Sequence, residues 1–205
     1  MKMYFLRHGE TNGNKNKILQ GRIDNPLNDD GRLQAMKARE EIEGISFEAV
    51  YTSPLQRAKE TAMIASGLKE DEIILDKRIV EISFGDMEGN VVSRDNQTMV
   101  DFFYNPEKYV PVNNAESYEE MLDRTKDFLR DIEEKYKDLP DTNILVVSHG
   151  ALIHGVIMLV KGLEIKDIWK SNVANCSITV VEYKEGKYSI IKECNQADRN
   201  YVSED

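Results

Sequence analysis

Short apolar runs alternate with amphipathic stretches along this chain. Residues 3–6, 49–52, 73–75 and 144–147 show no polar alternation, as expected of strands covered on both faces. Residues 176–183 and 188–191 flank Glu185 and Gly186, which predicts a terminal hairpin. The helices between these runs have legible ends. Asn28 can cap a helix over residues 29–43 with apolar positions at Leu33, Met36 and Ile42. Ser53, Pro54 and Gln56 stand in the order of a capping box, with Ser53 as N-cap and Gln56 reaching back. Ser117 and Glu120 form a second box. It opens a helix in which Tyr118, Met121, Leu122, Thr125, Phe128, Leu129 and Ile132 recur at helical spacing. A further helix over 151–161 follows its strand at once and stops at Gly162.

Strands alternating with helices predict an α/β fold, a three-layer α/β/α sandwich around a largely parallel sheet with a C-terminal β-hairpin. The chain, 205 residues long, shows no internal repeat, low-complexity tract or linker. It is expected to form one domain over 1–205, with residues 86–116 as a cover above the site. In such sheets ligands bind beyond the C-terminal ends of the strands.

Charge narrows the function. A formal net charge of −10 argues against a nucleic-acid binder, which would carry a basic face. An acidic protein that handles anions must concentrate positive charge locally. No apolar run reaches the roughly 18 residues of a membrane span. The opening apolar run meets Arg7 and His8 too soon for a signal peptide. Cys176 and Cys194 are too few for a disulfide framework; they fall on adjacent predicted strands and are read as free, reduced thiols of a cytoplasmic protein.

The strand-to-helix junctions supply that local charge. Arg7, His8 and Gly9 follow the first strand, Ser53 and Arg57 the second, and Ser148, His149 and Gly150 the fourth. Two arginines and two histidines thus converge on one sheet edge, and helix N-termini add N–H donors. This is a site for a tetrahedral anion, most simply a phosphoryl group. A neutral imidazole is a competent nucleophile toward phosphorus, and forked guanidinium donors suit the equatorial oxygens. No Asp/His cluster at metal-ligand spacing appears, so neither metal nor cofactor is expected.

The run from Arg7 through Thr11, with Asn14 beyond it, resembles the signature of the histidine phosphatase superfamily, in its phosphoglycerate mutase-like branch. The likeness continues through Gln20 and Gly21, Asp24, Pro26 and Leu27, Gly31, Gln34 and Ala35, the Ser53 to Ala58 run, Glu81, Phe84 and Gly85, Glu88 and Gly89, and closes at Ser148, His149 and Gly150. It implies that His8 is the nucleophile and that Arg7, Arg57 and His149 complete the phosphate pocket. Asn14, Gln20, the Gly21 backbone and Gly150 join the phosphate contacts, and Glu81 protonates the leaving oxygen. Glu81 can serve as an acid only where a bound phosphate dianion offsets the arginines beside it. His154 departs from the family pattern and is read as a packing residue. Asn114 to Ser117 departs as well, which bears on substrate contacts around Glu116.

The substrate expected is a small-molecule phosphate ester. A mutase would need basic residues in the cover. Residues 86–116 hold Arg94 and Lys108 against Asp86, Glu88, Asp95, Asp101, Glu107 and Glu116, beside Phe102, Phe103, Tyr104 and Tyr109. Such a cover suits a partly apolar or small neutral leaving group, if the aromatics are not simply packing. A phosphatase is the preferred reading, a cofactor-dependent phosphoglycerate mutase the alternative, and a non-catalytic binding protein the third. A homodimer is allowed by the general prevalence of twofold assemblies.

Overall fold

The computed structural model describes residues 1–139 and 141–194. Among them six strands form one sheet: β1 (Lys2–Arg7), β2 (Ala49–Thr52), β3 (Ile74–Leu75), β4 (Asn143–Ser148), β5 (Ile178–Lys184) and β6 (Lys187–Lys192), in the order β3-β2-β4-β1-β5-β6. β1, β2, β3 and β4 run parallel, and β5 pairs antiparallel with β1. The helices are α1 (Asn12–Lys15), α2 (Asp29–Glu41), α3 (Gln56–Ser66), α4 (Gln97–Tyr104), α5 (Tyr118–Tyr136) and α6 (Gly150–Lys161). No helix among the described residues is long and apolar enough to cross a membrane. The expected α/β sandwich and terminal hairpin are both present.

Alternation along the strands divides the core into two layers. Met3, Phe5, Ile144 and Val146 face Phe128 and Ile132 of α5 and Leu152, Ile153 and Val156 of α6. Leu6, Leu145 and Val147 face Ala35 and Ala38 of α2 and Ala58, Ala62 and Ala65 of α3. The second interface is built from small side chains, and that lets helix backbone approach strand ends closely.

The α2 pattern is corrected here. Leu33 and Met36 are 57% and 52% exposed, while Gly31, Ala35, Ala38 and Ile42 are buried. The glycine explains the choice of face: Gly31 packs against the backbone of Gly9 and Glu10, and a Cβ at Gly31 would overlap the Glu10 carbonyl oxygen. Larger residues on that face would push α2 off the strand end.

The capping box at Ser53 does not form. α3 begins at Gln56, and Leu55, in the N-cap position, makes no side-chain cap. Asp24 from a distant loop accepts the Gln56 N–H at 2.6 Å instead, while the Ser53 hydroxyl lies 2.7 Å from His149 Nε2. At Ser117 the predicted box is present, with Glu120 N donating to Ser117 Oγ at 3.1 Å and Ser117 N to Glu120 Oε2 at 2.8 Å. β3 also differs from expectation: it is an edge strand, with Ile74 and Leu75 exposed and only Ile73 before it buried. The hairpin turn has φ of 53° at Glu185 and 76° at Gly186, the positive pair that matches strand twist. Cys176 precedes β5 rather than lying on it, at φ 54°.

Residues 86–116 pack into an apolar cluster that they share with α5, α6 and Trp169. Phe102 of α4 is buried among Phe84, Phe103, Tyr109, Tyr118 and Trp169, with ring centroids 4.8–5.3 Å away. Trp169 Nε1 donates to the Phe102 carbonyl at 2.8 Å and to Tyr118 Oη at 2.9 Å. These aromatics seat the segment 86–116 on α5 and α6, so they are not a reason to expect an apolar leaving group.

Gly31→Ala tests the close approach of α2. Alanine inside a helix usually stabilises it by up to about 1 kcal/mol. Here overlap with the Glu10 carbonyl should reverse the sign and cost about 1–3 kcal/mol, read from urea unfolding. A stabilised variant would refute this packing.

Candidate active site

The sheet itself assembles the site. Arg7 pairs with Ser148, and Thr52 with Val147. The ladder runs one step past the strands, His8 N donating to Ser148 O at 2.9 Å and Ser53 N to Val147 O at 3.0 Å. His8, Ser53 and His149 are thereby brought side by side. Arg57 joins from the first turn of α3, which Thr61 fixes: Gly9 N donates to Thr61 Oγ1 at 3.0 Å, and that hydroxyl donates to Arg57 O at 2.7 Å. Arg7, His8, Arg57 and His149 are between 0% and 7% exposed.

Two buried guanidiniums need acceptors, and backbone carbonyls provide them. Arg57 donates through Nη2 to Gly21 O and through Nη1 to Ile23 O, each at 2.7 Å. Arg7 Nη1 donates to Val173 O at 2.7 Å. Burial brings Arg7 down to about 10, partly offset by the charge of Glu81 and reinforced by that of Arg57. Burial also lowers Arg57, against the charges of Glu81, Asp24 and Glu88.

These contacts set the histidine tautomer. His8 Nδ1 lies 2.7 Å from Gly9 O. A carbonyl only accepts, so Nδ1 carries the proton. Nε2 is then the lone-pair nitrogen, facing the Arg57 Nε–H at 3.3 Å. Burial first, then the charges of Arg57 and Arg7, hold His8 well below its ordinary 6.5. Burial and Arg57 do the same to His149. The two rings lie 5.0 Å apart. With Ser53 on its Nε2, His149 keeps Nδ1 buried and without a hydrogen-bond partner among the described residues.

The other predicted residues surround this centre in different ways. Gly150 opens α6 beside the Arg7 guanidinium. Asn14 completes the capping box of α1, its Oδ1 accepting from Thr11 N at 3.1 Å, which directs its amide donors elsewhere. Gln20 is turned inward, Oε1 accepting from Thr11 Oγ1 at 2.7 Å and Asn25 Nδ2 at 3.2 Å. Gly21 has φ 47°, and a Cβ there would overlap the Glu88 carboxylate. Glu81 accepts from Ile82 N at 3.0 Å and Ala151 N at 3.4 Å, and its charge acts on both arginines.

Other supports lie outside the set of residues expected to bind phosphate. Glu88 spends its oxygens on the N–H groups of Arg22, Ile23 and Phe84 at 3.0–3.1 Å. Asn175 Nδ2 donates to His8 O at 2.9 Å. Thr61 is legible only through its position one helical turn after Arg57. His154 is buried against Trp169, bonded to Ser171 Oγ at 3.1 Å and brought down to about 3 by burial. No disulfide joins Cys176 and Cys194, and burial raises Cys176 to about 12. Among the described residues no three His, Cys, Asp or Glu side chains are grouped to hold a metal ion.

Comparison with known proteins agrees with this geometry. The family model of the histidine phosphatase superfamily (branch 1) matches residues 3–196. The chain is 29% identical over 199 residues to "Putative phosphoserine phosphatase 2" of Hydrogenobacter thermophilus, covering 95% of each. It is 31% identical over 185 residues to "Uncharacterized phosphatase PhoE" of Bacillus subtilis, covering 90% of each. To "Probable phosphoglycerate mutase GpmB" of Shigella boydii it is 29% identical, covering 90% of this chain and 86% of that one. Among solved structures, a mutant phosphoserine phosphatase from Entamoeba histolytica, in complex with phosphoserine, superposes with a TM-score of 0.82 at 28% identity, covering 94% of this chain and 95% of that one. The chain belongs to the histidine phosphatase superfamily, and it is an enzyme of that family.

The neutral histidines have a measurable consequence. An unfolded imidazole takes up protons near 6.5, whereas the folded His8, His149 and His154 do not. Stability is therefore full above that pH and falls as pH drops below it, by up to about 1.4 kcal/mol per pH unit per histidine. Proton NMR of the ligand-free protein should show no imidazole titrating between about pH 8 and 5.5. A resonance titrating near the ordinary imidazole value would contradict the buried, neutral site.

Proposed function

We propose that this member of the histidine phosphatase superfamily hydrolyses small phosphate monoesters through a phosphohistidine on His8, without a metal ion. The observation that carries the reading is the tautomer of His8. Its proton is held on Nδ1 by the Gly9 carbonyl, and the nucleophilic Nε2 is presented beside Arg57 in a buried, cationic pocket.

His8 Nε2 attacks phosphorus and the ester P–O bond breaks, with Arg7 and Arg57 stabilising the charge spread over the equatorial oxygens. Glu81 gives its proton to the leaving oxygen. Water, deprotonated in turn by Glu81, then cleaves the N–P bond and releases inorganic phosphate. His149 donates from Nδ1 to a phosphoryl oxygen when Ser53 donates its hydroxyl proton to Nε2, which leaves both rings neutral. On this reading Asn14 and the backbone of Gly21 supply further phosphate contacts. Proteins named as a phosphoserine phosphatase and as a probable phosphoglycerate mutase among the relatives support a small phosphorylated metabolite as substrate. Hydrolysis is preferred to transfer because the segment proposed as the cover carries just two basic residues, Arg94 and Lys108, to hold the second charged end of a mutase substrate. The protein acts as one domain over 1–205, with 86–116 as its cover.

Two measurements test this reading. Purified protein in excess EDTA should hydrolyse p-nitrophenyl phosphate, and His8→Ala should abolish turnover. Turnover that EDTA removes, or that His8→Ala leaves intact, would refute the mechanism. Glu81→Gln should slow an alkyl phosphate about 100-fold or more and p-nitrophenyl phosphate far less, because nitrophenolate leaves without a proton. Equal slowing of the two esters would remove Glu81 as the acid.

A further inference from the structure

Two arginines meet one carboxylate at the edge of the site, and their situations differ. Glu116 Oε1 accepts from Arg124 Nε at 2.7 Å, and its Oε2 accepts from Arg124 Nη2 at 2.9 Å, Ser83 N at 3.2 Å and Arg22 Nη2 at 3.2 Å. Arg124 sends its remaining Nη1 to the carbonyls of Arg78 and Val80 at 2.6 and 2.7 Å. With its side chain 15% exposed, it is committed to the framework. The Arg22 side chain is 47% exposed, and among the described residues its guanidinium makes the one bond to Glu116.

The Arg22 backbone, by contrast, is held firmly. Its N–H donates to Glu88 Oε1 at 3.0 Å. The carbonyls on either side of it, Gly21 and Ile23, are the two that bind Arg57. A loosely tethered cation thus stands on the loop that positions the phosphate-binding arginine. Releasing it costs less than breaking a buried pair, because the Arg22 side chain is half exposed and makes a single 3.2 Å bond to the largely buried Glu116. Glu116 would keep the Arg124 fork and the Ser83 N–H, so no buried charge would be orphaned. The acidic count of the cover also overstates its repulsion, since Glu88 and Glu116 are turned inward onto N–H donors.

Resting on the hydrolytic reading above, we infer that Arg22 is a specificity-determining residue that recognises a carboxylate on the leaving group of the phosphate ester. A substrate carboxylate can take the planar fork through two N–H donors, exchanging one long bond for a bidentate pair. A leaving group with only hydroxyl or ammonium groups makes no such exchange. The favoured class is an alkyl phosphate carrying a carboxylate close to the ester.

The test compares kcat/KM for O-phospho-L-serine and for phosphoethanolamine, which differ by the carboxylate alone, in wild type, R22Q and R22K. In R22Q the ratio of the two should fall about tenfold or more, the range of a charge-assisted hydrogen bond, and the change should appear in KM. R22K should recover part of the ratio. A ratio within about twofold of wild type overturns the inference, because a merely structural Arg22 would slow both esters alike. Wild-type protein that cleaves p-nitrophenyl phosphate but prefers phosphoethanolamine to phosphoserine also overturns it. Folded wild type that hydrolyses none of the three esters overturns the hydrolytic reading itself, and this inference with it.

Discussion

Two guanidiniums buried beside each other, at the end of a sheet in an acidic protein, are the constraint on which the rest of the structure depends. Isolated in a low-dielectric interior they would repel and lose hydration together. The chain offsets this with carbonyl oxygens of Gly21, Ile23 and Val173 and with the nearby charge of Glu81. Those carbonyls have to be aimed, and the aiming propagates outward. Gly21 turns left-handed, Glu88 gathers the N–H groups of the same loop, and Asp24 ties that loop to the start of α3. Burial first, and the positive field with it, keeps both histidines neutral, which is the state an attacking imidazole needs.

The sheet and the site are therefore one construction. Parallel strands of matched register deliver His8, Ser53 and His149 to the same height. The small-residue layer between α2, α3 and the sheet brings helix backbone within touching distance of Gly9. Bulkier residues there would have produced an ordinary helix-on-sheet core and a wider, weaker anion pocket.

Much of this is legible in the chain because strand-end chemistry is local in sequence. Arg7 to Gly9, Ser148 to Gly150 and the alternation of apolar runs with helices announce both fold and pocket. Where local patterns mislead, a distant partner overrides a local preference. Ser53 has the sequence context of a helix cap, yet its hydroxyl is taken by a histidine 96 residues away, and Asp24 takes over the cap. Leu33 and Met36 look like a core face until Gly31 is seen against the first loop. Ile74 and Leu75 have the composition of covered strand residues, but they lie at the sheet edge. Hydropathy records what a residue prefers and is silent on which neighbour arrives first. Thr61 and Asn175 act through long-range bonds, and no short motif marks such residues.

The packing of α4 carries an optical property. Trp169 is the one tryptophan of the chain, and its indole N–H is bound to the Phe102 carbonyl and the Tyr118 hydroxyl, with Phe103 and His154 against its ring. Every one of those groups belongs to α4, to the start of α5, or to the helix that opens beside the Arg7 guanidinium. Indole emission, excited beyond the tyrosine band, thus arises from a single chromophore where α4, α5 and α6 meet. A spectrometer tuned to it would watch that joint and nothing else.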